Sequence, residues 1–123
     1  MARPADDSRA QANFTNGVPE MLILRLLAAK EMYGYQLVKA IREATGESIA
    51  PGEGVVYPLL HSLERRGCLA TRRIKHDGRD RVYYRITAKG RKSLRATVGN
   101  WRRIARAVEQ VIGGGHDDAM HAT

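Results

Sequence analysis

Apolar residues recur at helical spacing along most of this chain and at strand spacing in one short region. The first helical stretch runs from Pro19 to about Lys30. Pro19 and Glu20 suit a helix start, and Met21, Leu22, Ile23, Leu24, Leu26 and Leu27 make the segment apolar on most sides, as a central buried helix requires. The second, from Gly34 to Ala44, sets Leu37, Val38 and Ile41 against Lys39, Arg42 and Glu43 and stops at Thr45-Gly46. After a linker with Ser48, Pro51 and Gly52 comes a third, in which Val56, Leu59, Leu60 and Leu63 fall at i, i+3, i+4 and i+7. This spacing predicts a one-sided helix that begins at Glu53 or Gly54 and ends at Gly67. Pro58 is expected near its first turn, where little backbone ladder exists to break. The face away from the stripe presents Gly54, Val55, Tyr57, Pro58, His61, Ser62 and Arg65, which no core needs.

From Cys68 to Lys75 and from Arg81 to Ile86 the period shortens to two, with Val82, Tyr84 and Ile86 alternating against Arg81, Tyr83 and Arg85. The intervening His76-Asp77-Gly78-Arg79 carries the Asp-Gly signal of a tight hairpin. Such a ribbon is marginal alone and must pack on the helices, with Tyr84 in the core and Tyr83 on the opposite face. Thr87 then caps a long helix to about Ile112, ended by Gly113-Gly114-Gly115. Leu94, Val98, Trp101, Ala105, Val108 and Ile112 form a heptad seam along it, expected to bury against a second copy. Folding back over the first helix within a monomer is the alternative, and Gly99 weakens a strict coiled coil in either case.

The predicted fold class is therefore mainly α with a two-stranded β-wing (α+β), a winged helix-turn-helix followed by a long dimerisation helix. The expected organisation is an N-terminal arm over 1–16, loose or extending the first helix, a DNA-binding domain over 17–87, the dimerisation helix over 88–112 and a flexible tail over 113–123. A chain of 123 residues has no room for separate cofactor and substrate lobes. Its most apolar segment, Met21 to Ala29, is short and interrupted by Arg25, so no membrane span is predicted.

Charge changes the picture more than composition does. Up to Glu64 there are six basic and eight acidic residues, whereas Arg65 to Thr123 holds fifteen basic and five acidic ones, so the net +8 resides entirely in the second half. Arg72, Arg73, Lys75, Arg79, Arg81 and Arg85 crowd the hairpin. A focused basic surface calls for a polyanion, and its coincidence with a wing favours double-stranded DNA over a merely solvated face. The helix over 53–66 would enter the major groove, where Gly54, Val55, Tyr57, Pro58, His61 and Arg65 are the candidates for contact. The wing over 69–86 would bring Arg73, Lys75, Arg79, Arg81 and Tyr83 to phosphates or the minor groove. Tyr57 either donates to phosphate, stacks on a sugar or packs under the wing, and Arg65 either contacts DNA, pairs with Glu64 or lies in water.

The blocks Tyr33-Gly34-Tyr35-Gln36-Leu37, Gly54-Val55-Val56-Tyr57-Pro58-Leu59-Leu60, Leu63-Glu64-Arg65-Arg66-Gly67 and Tyr83-Tyr84-Arg85-Ile86-Thr87-Ala88-Lys89-Gly90 occur in that order. Together they resemble the PadR family of bacterial transcriptional regulators over roughly 19–112. The resemblance implies a homodimeric repressor on a palindromic operator, in the compact subgroup that ends after one dimerisation helix. Some compact members hold an aromatic or drug-like effector between paired tryptophans at the dimer interface. Trp101 stands at the matching place, with plain dimer packing as its other reading.

Other signals carry less. His116, Asp117, Asp118 and His121 are ligand-type residues in the expected tail, so no metal site is predicted. The single Cys68 cannot form an internal disulfide and suits a small buried hydrophobe, with the cytoplasm as the expected compartment. No cofactor loop or catalytic constellation is legible, so an enzyme is not expected. The competing function is a basic winged-helix module that docks an acidic protein without reading DNA sequence. An RNA-stacking module lacks its sheet aromatics.

Overall fold

The structure, a computed structural model, describes residues 17–122, with side chains given as far as Gly113. The predicted arm over 1–16 and the His116, Asp117, Asp118 and His121 side chains lie outside the described parts. The elements are α1 (residues 17–29), β1 (Met32–Tyr33), α2 (Gly34–Ala44), α3 (Glu53–Arg65), β2 (Leu69–His76), β3 (Arg79–Ile86) and α4 (Ala88–Ala122).

The buried core among the described residues is apolar throughout. Ile23, Leu24 and Leu27 of α1 meet Leu37, Val38 and Ile41 of α2 and Val56, Leu60 and Leu63 of α3, closed below by Leu69, Tyr84 and Ile86. The helical members are positions that helical periodicity predicts, and Tyr84 and Ile86 are positions that the strand alternation predicts. Leu59 packs against the cluster only partly, at the edge of its stripe.

Local hydrogen bonds set the element ends. Thr45 Oγ1 donates to the Ile41 carbonyl at 2.9 Å and accepts from the Ile49 amide at 3.1 Å, which closes α2 and turns the chain towards α3. The end of α3 is a Schellman motif: Cys68 N donates to Leu63 O and Gly67 N to Glu64 O, each at 2.9 Å, with Gly67 at φ +82°. Helix α3 begins at Glu53, as predicted, which sets Pro58 just past the first turn. This proline is the sixth residue of α3, so its missing N–H leaves the Gly54 carbonyl without a helical donor, and the exposure of Gly54 leaves that carbonyl to water.

The hairpin extends to His76 and Arg79, joined by Asp77 (φ 54°) and Gly78 (φ 77°), a two-residue turn with both central residues left-handed. The predicted two-stranded wing is present as β2 and β3, and it gains a short third strand that the sequence did not show. Met32 and Tyr33 pair antiparallel with Tyr84 and Tyr83, so the sheet has three strands in the order β1-β3-β2. This added pairing ties the wing base to the start of α2.

Thr87 caps α4 as predicted: its Oγ1 accepts from Gly90 N at 3.0 Å and donates to Gly67 O at 2.6 Å. The helical backbone continues through residues 113–115 to Ala122, past the expected stop and through the expected tail. Glycine disfavours a helix interior by about 1 kcal/mol relative to alanine, a penalty and not a prohibition.

Candidate nucleic-acid interface

Helix α3 divides cleanly. With Val56, Leu60 and Leu63 wholly buried, Gly54, Val55, Pro58, His61 and Arg65 all turn to solvent. Tyr57 departs from the expected outward orientation. It is half-buried, and its ring covers Gly34 so closely that a β-carbon there would sit 2.7 Å from the Tyr57 hydroxyl. Burial, then the nearby Glu53 and Tyr33, raise its pKa, so the phenol stays a neutral hydrogen-bond donor at physiological pH. Arg65 is exposed, while the Glu64 carboxylate accepts the Thr71 hydroxyl at 3.1 Å.

Strand register sorts the wing residues. Directly paired residues share a face, so Arg73 (opposite Val82) and Lys75 (opposite Asp80) continue the face of Thr71 and Tyr84. Arg79, Arg81 and Tyr83 lie on the reverse face with His76, Ile74 and Arg72. The hairpin therefore carries cations on both sides. Arg73, Lys75 and Arg79 are exposed, whereas Arg81 is half-buried with its guanidinium 4.4 Å from the Tyr33 ring centroid.

Part of the basic excess is neutralised by the acidic first half. Arg72 clasps Glu31 through two guanidinium nitrogens, Nε donating to Oε2 at 3.1 Å and Nη2 to Oε1. The hydrogen bond and the Arg72 charge, reinforced by Arg85, hold the Glu31 carboxyl below its ordinary range. Arg66 pairs with Glu20 at 2.9 Å. A count along the sequence treats these arginines as equal to Lys75 and Arg79, and the fold does not.

Along α4 the expected seam changes character. Leu94 is buried and Val98 packs on the same core, both lining a groove against Met21 and Leu22 of α1. From Trp101, 43% exposed, the apolar residues face outward: Ile104, Val108, Val111 and Ile112 remain exposed, and Ala105 is half-buried. Ile104 and Val111 belong to this stripe although the seam as read from sequence omits them.

The family description "Transcriptional regulator PadR-like family" matches residues 23–96, from α1 into α4. The chain belongs to this family. Transcriptional regulator Rv3488 of Mycobacterium tuberculosis is 31% identical over 110 residues, covering 89% of this chain and 97% of that protein. The crystal structure of a PadR family transcriptional regulator from Eggerthella lenta superimposes with TM-score 0.72 at 29% identity, over 91% of this chain and 96% of that one. A Streptococcus transcriptional regulator gives TM-score 0.69 at 31% identity, over 80% and 95% of the two chains.

For a PadR-like regulator the winged helix is the DNA-binding unit, and the quoted sequence blocks now have places in it. Tyr33 ends β1, Gly34-Tyr35 opens α2, and Gly54 to Leu60 lies in the first half of α3. The exposed surface also includes residues outside the predicted contacts. Tyr35 and Lys39 stand out from α2 with the Lys39 ammonium 5.9 Å from the Tyr35 ring, and Tyr33 supports Arg81. The two tyrosines had only the Tyr-Gly-Tyr block as a sequence signal, whereas Lys39 was legible as part of the polar face of the second helix. Among the described residues no group of three His, Cys, Asp or Glu is placed to hold a metal ion, and no helix is long and apolar enough to cross a membrane. Cys68 is buried.

Proposed function

We propose that this PadR-like regulator binds double-stranded DNA as a homodimer, with residues 17–87 as the reading unit and α4 as the dimer contact. The observation that carries the reading is the free face of α3 beside an exposed basic hairpin. Gly54 and Pro58 offer little bulk, so the helix backbone can approach base edges, where His61 and Arg65 supply hydrogen-bonding groups. Arg73 and Lys75 on one wing face, and Arg79 and Arg81 on the other, then neutralise phosphates or enter the minor groove. Tyr57, neutral and anchored on Gly34, donates from the base of α3 to a phosphate.

The outward stripe of Trp101, Ile104, Val108 and Val111 supports pairing with a second copy, because apolar residues at heptad spacing associate to leave water. A two-fold dimer would place its α3 helices about 34–36 Å apart on a palindromic operator. The family resemblance supports repression, and the half-exposed indole of Trp101 supports release by a small aromatic effector stacked on it.

The test is selection of genomic fragments by the purified protein at about 0.15 M salt with excess competitor DNA. Enrichment of a two-fold symmetric sequence is expected. Lys75→Ala and Arg79→Ala should each weaken binding on all sequences and reduce the salt slope by about 1, while His61→Ala should change sequence preference. Salt-labile binding without enrichment would instead leave a basic protein-docking module. For the effector, a varied aromatic panel should include a compound that quenches the single tryptophan, Trp101, and releases DNA. Failure of every compound to quench would remove that part of the reading.

A further inference from the structure

The reverse face of the wing base holds a three-residue cluster. Tyr33 and Tyr83 are direct partners in the β1–β3 ladder, and their rings meet edge-to-face at 5.4 Å and 71°. Arg81, two residues before Tyr83 on β3 and so on the same face, sets its guanidinium over the Tyr33 ring at 4.4 Å. Among the described residues no carboxylate is paired with Arg81. A guanidinium resting on an aromatic face is attracted by the ring quadrupole while its rim N–H groups remain available to an anion. A long side chain held in this way has surrendered part of its rotamer freedom before any ligand arrives.

Tyr33 also has a second duty. It is the N-cap residue of α2, with its amide accepted by the Gln36 side chain at 3.4 Å. The residue that supports a wing arginine therefore also opens the helix-turn-helix. We propose that Tyr33 is a positioning residue for DNA binding, which pre-organises the Arg81 guanidinium towards a phosphate or a narrow minor groove and couples the wing to α2 through the β1–β3 pairing. This inference rests on the DNA-docking reading above, in which Arg81 meets the nucleic acid. Arg79, on the same face nearer the turn, is exposed.

The test is binding of the full-length protein to a labelled duplex, either the selected operator or a random-sequence duplex, followed by anisotropy across a salt series. Tyr33→Leu should weaken binding about threefold near 0.15 M salt. Tyr33→Phe keeps the ring and should restore wild-type affinity. In an Arg81→Ala background, Tyr33→Leu should have no further effect. Equal weakening by Tyr33→Leu in both backgrounds, or no restoration by Phe, overturns the proposal. If Tyr33→Leu compromises folding, as judged by thermal unfolding, Arg81→Lys decides: it keeps the charge but loses the planar fork, and should fall close to Arg81→Ala. Wild-type affinity for Arg81→Lys overturns the proposal. An inert Arg81→Ala beside harmful Lys75→Ala and Arg79→Ala refutes the positioning role and leaves the docking reading standing, whereas inert substitutions at all three refute that reading itself.

Discussion

The Tyr57 ring of α3 covers Gly34, the first residue of α2, where a β-carbon would approach the ring Cζ to 2.6 Å. Glycine here is a matter of space. Gly34→Ala should destabilise the domain by about 1–3 kcal/mol, because the ring must leave its seat. In a Tyr57→Ala background the same substitution should cost much less. Denaturant unfolding of the four proteins in this cycle checks it, and simple additivity would show that the methyl meets something other than the ring.

A second steric requirement lies where β3 passes into α4. A β-carbon at Gly90 would collide with the Cys68 carbonyl and come within 2.7 Å of Ile86 Cγ1. Since a carbonyl in the sheet base cannot swing aside as a side chain can, Gly90→Ala should cost about 1–3 kcal/mol. Thr87→Ala, which removes the cap together with the hydroxyl's bond to the Gly67 carbonyl, should cost about 1–2 kcal/mol. Urea unfolding of both variants orders them, and a neutral Gly90→Ala would contradict the observed packing.

Acid stability should report the Glu31–Arg72 pair. Because the folded state lowers the Glu31 pKa below its ordinary 4.5, the carboxylate contributes stability that is present above that value and is lost as pH falls through the lowered one. Glu31→Gln should run parallel to wild type near neutrality and converge on it in acid. Thermal unfolding between about pH 3 and pH 7 measures this. The pair lies at the surface, so added salt should shrink the difference, and a salt-independent gap would point to packing instead.

The outward stripe of α4 makes the oligomeric state a direct readout. Ile104→Asp or Val108→Asp places a charge on residues already exposed in the single chain, so the winged helix should keep its unfolding midpoint apart from any dimer contribution. Sedimentation should show conversion from dimer to monomer, together with a fall in operator affinity. A variant that stays dimeric would move the contact to another surface.

Periodicity and turn chemistry determined much of this protein by themselves. The stripe of Val56, Leu60 and Leu63, the bounds of α2, the Asp77-Gly78 turn and the Thr87 cap are local: each depends on residues within about two turns of one another, where spacing and backbone preference suffice. The tertiary structure decided what depends on residues far apart in sequence. Two residues are too short to show a strand period, so β1 exists only because Met32 and Tyr33 find Tyr84 and Tyr83. The outward face assigned to Tyr57 was altered by Gly34, and the equal standing of the basic residues by Glu20, Glu31 and the Tyr33 ring. Leu94 and Val98 likewise joined the chain's own core because α1 lies beside them, leaving the apolar surface to begin at Trp101. Charge and hydrophobicity are properties of residues, but their availability to a partner depends on what the fold has already placed against them.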